Sequence, residues 1–231
     1  MKTSDLRQER ERRRREGYRE TILHAAERVI LRKGYSAMRM DDVAQEAQFS
    51  KATLYKYFSS KGVLLFEIMG HYFEEVGGRL GEIMAESVSA GEKLRRSIRA
   101  ILEYHADKEN ITRVLWMDNS MLKIMRVFVA APGKAGPATA TDRKMLDLLQ
   151  QKRRDVMDIA AGMIEEGVAA GEFRRMDTGS AVTFIEAILE GYVHNQFWMG
   201  KAVTPDAANG LARFILEGIR NPRTNPEGEL T

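Results

Sequence analysis

Between Ile22 and Phe58 the apolar residues fall at helical spacing in three short blocks. Ile22, Ala25, Ala26, Val29 and Ile30 stand at i, i+3, i+4, i+7 and i+8, which makes one apolar stripe on a charged helix. Arg32 and Lys33 suit the C-terminal end of its dipole, and Gly34 follows as a cap. Met40, Val43, Ala44 and Ala47 repeat the rule over a second helix. A break at Gln48-Phe49-Ser50 then leads into a third, Lys51 to Phe58, with Ser50 placed as its N-cap. Only Leu54 and Phe58 need face inward there, which leaves Lys51, Ala52, Thr53, Tyr55, Lys56 and Tyr57 to point elsewhere. Two helices joined by a short turn, the second with a polar, basic and aromatic outer face, have the shape that enters a DNA major groove.

The pattern lengthens after Lys61. Leu65, Ile68, Met69, Tyr72, Phe73 and Val76 form a stripe. Gly77, Gly78 and Gly81 then each weaken a helix by about 1 kcal/mol relative to alanine, and predict a boundary or bend. Further helices are expected from Gly91 to Asp107, from Ile111 to Ala130 and from Asp142 to Gly171, with Ala131–Pro137 as a linker. Ala181, Phe184, Ile185, Ile188, Leu189 and Tyr192 make another stripe, with Val182, Val193 and Phe197 partly off it. A helix apolar on two sides must meet its own core and something else. Thr204-Pro205 opens a last helix in cap-then-N1 order, with Leu211 and Ile215 on its apolar face. No strand-like alternation and no repeat occurs, so the reading is all-α.

The run Ile22-Leu23-His24-Ala25-Ala26, then Gly34-Tyr35, Asp42-Val43-Ala44, Ser50 to Phe58 and Ser60-Lys61, resembles the TetR family of bacterial transcriptional regulators. Arg39 stands where that family usually has threonine, and Gln48-Phe49 where it has Gly-Val. The resemblance implies an N-terminal three-helix helix-turn-helix DNA-binding domain and a C-terminal helical domain for ligand binding and dimerisation. The expected division is a basic arm at 1–17, the helix-turn-helix domain at 18–64, the second domain at 65–222 and a tail at 223–231.

Charge agrees with that division. Residues 1–66 hold 15 Lys and Arg against 9 Asp and Glu, a net of +6, whereas the remainder is net −3. The basic end is the end that would meet DNA. Lysine can donate to guanine O6 and N7, and a tyrosine can contact a thymine methyl or a phosphate, which gives Tyr55, Lys56 and Tyr57 the reading role. Thr53, Arg39 and Lys61 fit phosphate contacts, with Ser50, Lys51 and Ala52 beside them. Arg12, Arg13, Arg14 and Arg15 would lie along phosphates or in a minor groove, or else belong to a solvated helical extension in which Glu and Arg screen each other.

For the second domain the resemblance implies a small-molecule pocket. Tyr104, His105, Trp116, Asn119, Met121, Phe184 and His194 are its candidates, because methionine and aromatic side chains make an adaptable apolar lining with a few polar groups. Such a lining suggests an aromatic, acyl or lipophilic effector. Ile185, Leu189, Tyr192, Val193, Leu211 and Ile215 are the candidates for a homodimer seam built from two helices of each chain. The expected protein is a dimeric repressor of a palindromic operator, released by a small molecule.

Two other classes stay open. The absence of cysteine excludes disulfides and thiolate chemistry, and no HExxH, phosphate loop or serine elbow occurs. Glu67, His71, Glu74 and Glu75 share a helical face that could grip a metal, so a helical enzyme is the weaker rival; no cofactor or metal is expected. A nonspecific architectural DNA-binding protein would use the arginines but leave the second domain without a purpose. No apolar run reaches the roughly 20 residues that span a bilayer, and a cytoplasmic location is expected.

Overall fold

The computed structural model describes residues 3–107 and 140–222. Among these residues the chain is helical, with one isolated bridge between Phe173 and Arg220. The helices are α1 (Thr3–Lys33), α2 (Met40–Glu46), α3 (Lys51–Tyr57), α4 (Lys61–Met84), α5 (Ala90–Asp107), α6 (Ala140–Ala169), α7 (Thr178–Trp198) and α8 (Pro205–Ile219). The contacts divide the chain into one unit of residues 1–71 and 110–150 and another of 72–109 and 151–231. The helix expected at 111–130 and the linker Ala131–Pro137 lie outside the described residues.

In the first unit, the predicted stripe of α1 is buried along its whole length, from Ile22 to Ile30. It meets Met40, Val43 and Ala44 of α2, Leu54 of α3, Phe58 beyond it and Leu64, Leu65 and Ile68 of α4. Gly34 takes the left-handed conformation that a residue closing a helix requires, at φ 80°, and its N–H reaches the Ile30 carbonyl at 2.7 Å. One expectation changes here. Residues 3–17 are the first four turns of α1 rather than a separate arm, because their Glu and Arg residues pair at i+3 and i+4.

The second unit packs α5 against α7 and α8. Leu94, Ile98 and Leu102 of α5 meet Val182, Leu189, Val193 and Phe197 of α7 and Ala208, Ala212 and Ile215 of α8. A second cluster joins Val76 and Leu80 of α4, Tyr104 of α5 and Met163 of α6. The glycines of α4 do not end it, contrary to the expectation. At Gly77 a Cβ would lie 3.2 Å from Val156 Cγ2, so that glycine serves close helix packing. Glu172 caps α5 from beyond α6: its carboxylate accepts from the Ala90 and Gly91 amides at 3.2 and 2.9 Å.

Candidate nucleic-acid interface

Ser50 starts α3 as expected, its hydroxyl accepting from the Thr53 amide at 3.1 Å. The Thr53 hydroxyl lies 2.8 Å from the same oxygen, so Thr53 is half-buried in the cap. Leu54 is fully buried and fixes the rotation of the helix. Lys51, Ala52, Tyr55 and Lys56 consequently face solvent, with Tyr55 44% exposed. These four form one basic and aromatic surface of a size suited to base edges and phosphates.

Other predicted contacts have structural tasks. Tyr57 is half-buried and meets Tyr18 edge-on at 6.0 Å, so it packs against α1. The Lys61 ammonium donates to the Ser36 carbonyl at 3.0 Å and sits 4.3 Å above the Tyr35 ring. It thereby fastens the start of α4 to the α1–α2 connection. Lys51 pairs with Asp41 of α2 at 2.7 Å, which raises its pKa above the ordinary lysine value.

The departures from the family pattern are explained locally. Arg39 cannot accept a hydrogen bond as threonine would, and the Asp42 carboxylate instead accepts from the Arg39 amide at 3.0 Å. Lys33 at 2.7 Å, with that amide, holds the Asp42 carboxyl below the usual carboxylate range. Gln48 adopts φ 58°, the left-handed conformation for which glycine is the ordinary residue. Phe49 fills the turn and meets Tyr18 at 5.1 Å.

Arg19 was not among the candidates, yet it ties the unit together. It pairs with Glu67 of α4, donates to the Tyr57 carbonyl at 3.2 Å and lies 4.7 Å above the Phe58 ring. Its signal in the sequence was slight: an arginine one turn before the apolar stripe. Arg12, Arg13 and Arg14 are exposed and paired with Glu9, Glu11 and Glu16; Arg15 is exposed. Glu67 and Glu74, two of the metal candidates, are engaged by Arg19 and Lys152 respectively, and no cluster of three metal-ligating groups forms among the described residues.

In the second unit Tyr104 and His105 do come together, joined by Tyr72, and His194 is near enough to act on the charge of His105. The Tyr72 hydroxyl is 3.4 Å from His105 Nε2, and the Tyr72 and Tyr104 rings lie 5.2 Å apart. His105 Nδ1 is buried without a hydrogen-bond partner among the described residues. Burial, and then His194, lower its pKa to about 4, so the ring is neutral near pH 7. Burial pushes the Tyr72 hydroxyl up. Phe184 is 65% exposed and does not line this cluster, because α7 turns its inner face to α5. Trp116, Asn119 and Met121 lie outside the described residues.

The same rotation corrects the dimer candidates. Leu189, Val193 and Ile215 are buried in the chain's own core and have no area left for a partner. Ile185, Tyr192 and Leu211 are partly buried against that core. The outward apolar residues are instead Phe184, Ile188, Trp198, Met199 and Phe214, with Trp198 78% and Phe214 67% exposed.

Residues 22–68 match the profile of bacterial regulatory proteins of the tetR family. The uncharacterised HTH-type transcriptional regulator YhgD of Bacillus subtilis is 26% identical over 68% of this chain and 72% of its own. The HTH-type transcriptional activator FasR of Mycolicibacterium smegmatis is 24% identical over 73% and 79%. In fold, the chain is similar to the transcriptional regulator FadR of Bacillus subtilis, solved in complex with stearoyl-CoA. That likeness has a TM-score of 0.67 at 20% identity, over 87% of this chain and 99% of that one. Among the described residues no helix is long and apolar enough to cross a membrane.

Proposed function

We propose, for a chain that belongs to the TetR family of bacterial transcriptional regulators, that it reads a palindromic operator as a homodimer and is released by a lipophilic effector. The observation that carries the reading is the outer face of α3, where Lys51, Ala52, Tyr55 and Lys56 are exposed around a buried Leu54. Tyr55 and Lys56 read base edges, while Lys51 exchanges Asp41 for a phosphate. Lys61 contributes by holding the start of α4, and Arg39 and Thr53 stand at its rim.

Two copies are needed to present two such helices one DNA turn apart. Phe184, Ile188 and Phe214 form the centre of the seam, with Ile185, Tyr192 and Leu211 at its edge. Phe214→Glu should convert the dimer to a monomer in analytical ultracentrifugation and weaken operator binding with it. An unchanged mass would remove α8 from the seam.

The effector reading rests on the Tyr72–Tyr104–His105–His194 cluster and on what FadR of Bacillus subtilis was solved with. A neutral histidine and a protonated tyrosine suit the carbonyl or hydroxyl of an otherwise apolar molecule. Selection from a random DNA library with the purified chain, followed by titration with stearoyl-CoA, tests both parts. A recovered palindrome released by the acyl-CoA supports the reading; binding to all DNA alike would favour an architectural protein. FasR is named an activator, and activation is therefore the second reading of the sign. A reporter carrying the palindrome, with and without the chain, separates the two.

A further inference from the structure

The helix α1 begins well before residue 22, where the matched family profile starts. Residues 6–17 of this extension carry six arginines against three glutamates. The glutamates are not evenly placed around the helix. Glu9 holds Arg12 at 3.2 Å and Arg13 at 3.0 Å, and Glu16 lies 3.9 Å from Arg12, which neutralises one side. Arg7, Arg10 and Arg14 occupy another side, at i, i+3 and i+7 with Tyr18 at i+11. All three are exposed, and among the described residues the ion pair on that side is Arg14 with Glu11 at 3.9 Å, whereas the other side has three, two of them at 3.2 Å or less.

Tyr18 decides what this stripe is aligned with. Its ring packs on Phe49 in the α2–α3 turn and on Tyr57 at the end of α3. One residue on, Arg19 binds Glu67 and the Tyr57 carbonyl. The extension is therefore anchored at its base to the same segments that position α3, and the arginines leave from the α3 side. Three turns of helix separate Arg7 from Tyr18, about 16 Å, against roughly 10 Å for the length of α3.

We infer that Arg7, Arg10 and Arg14 form a second nucleic-acid contact, a basic stripe on a fixed helical rod that grips phosphates flanking the half-site read by α3. This rests on the proposal that α3 reads DNA. The stripe supplies affinity without sequence, because arginine forks on phosphate carry no base information. Of the sequence candidates Arg12–Arg15 it keeps Arg14, and it adds Arg7 and Arg10.

The test compares the wild-type chain with Arg7→Gln/Arg10→Gln/Arg14→Gln and, as control, Arg12→Gln/Arg13→Gln. Glutamine keeps helix propensity close to that of arginine, and circular dichroism checks that α1 persists. Binding is measured against salt on the selected palindrome, trimmed to its core or carrying about one helical turn of flanking duplex on each side. Random-sequence duplexes of both lengths are run alongside. On flanked DNA the triple variant should have a log–log salt slope shallower by about 3 per protomer, and on trimmed DNA it should match wild type. The control should keep the wild-type slope. A triple variant indistinguishable from wild type on flanked DNA overturns the inference, as does equal loss on trimmed DNA or an equal loss from the control. If the wild-type chain fails to prefer the palindrome over random duplex, the operator reading fails separately. The slope on random duplexes then still decides the stripe.

Discussion

Tyr18 and Phe49 place their ring centroids 5.1 Å apart at 57°, joining the arginine-bearing helix to the turn between the two helix-turn-helix elements. Tilted aromatic pairs of this kind contribute about 0.5–1.5 kcal/mol beyond burial. A double-mutant cycle with Tyr18→Ala and Phe49→Ala, followed by urea unfolding, should return a coupling energy in that range. A coupling of zero would mean that the rings are merely adjacent.

Gln48 holds a conformation that costs a non-glycine residue about 1 kcal/mol. Gln48→Gly removes that cost but adds freedom to the unfolded chain, so the expected net gain is about 0.5 kcal/mol. A slightly higher urea midpoint at unchanged slope is the result to look for. A lower midpoint would show that the Gln48 side chain contributes more than its backbone costs.

At Gly167 of α6 a Cβ would stand 2.2 Å from Phe173 Cδ2, and the Phe173 amide donates to the Gly167 carbonyl at 3.0 Å. Gly167→Ala therefore has to displace a buried ring. The expected loss is about 1–3 kcal/mol, despite the better helix propensity of alanine. Thermal unfolding of the variant beside Gly78→Ala, where nothing lies within 4 Å, separates packing from propensity.

His105 provides the pH dependence. Its folded pKa, about 4, is below the ordinary 6.5, so below pH 6.5 the unfolded chain takes up the proton first. Stability from this group is thus present near pH 7 and is lost as pH falls from 6.5 towards 4. Between pH 7 and 5 the loss should be about 1–2 kcal/mol. Urea titrations of wild type and His105→Gln at both pH values isolate it, since the variant should lose less on acidification. Identical acid sensitivity in the two would show that His105 is not the titrating group.

Much of the first unit was legible because each of its signals was local. The stripe from Ile22 to Ile30, the Ser50 cap and the isolated Leu54 all depend on neighbours within two turns. The extension of α1 was harder to read, since a helix polar on every side has no apolar period and is held by pairs such as Arg13–Glu9. In α7, periodicity found two apolar sides but could not say which one met α5. The choice depends on Leu94 and Ile98, more than 80 positions away in sequence, and it reversed Phe184 and Val193. The contact of Lys61 was hidden for the same reason. An exposed-looking lysine was bound to Ser36 by a contact that no spacing rule encodes.

Glu172 has a wider meaning than that of a cap. Its carboxylate serves the Ala90 and Gly91 amides, while its carbonyl accepts from the Asn221 amide at 2.9 Å. Next to it the Arg174 amide donates to the Ile219 carbonyl. Three places far apart along the chain are therefore clasped at one buckle: the start of α5, the segment after α6 and the end of α8. The amide protons of Ala90 and Gly91 become reporters on an event more than 120 residues away, because loosening the exit from α8 exposes them to exchange with solvent.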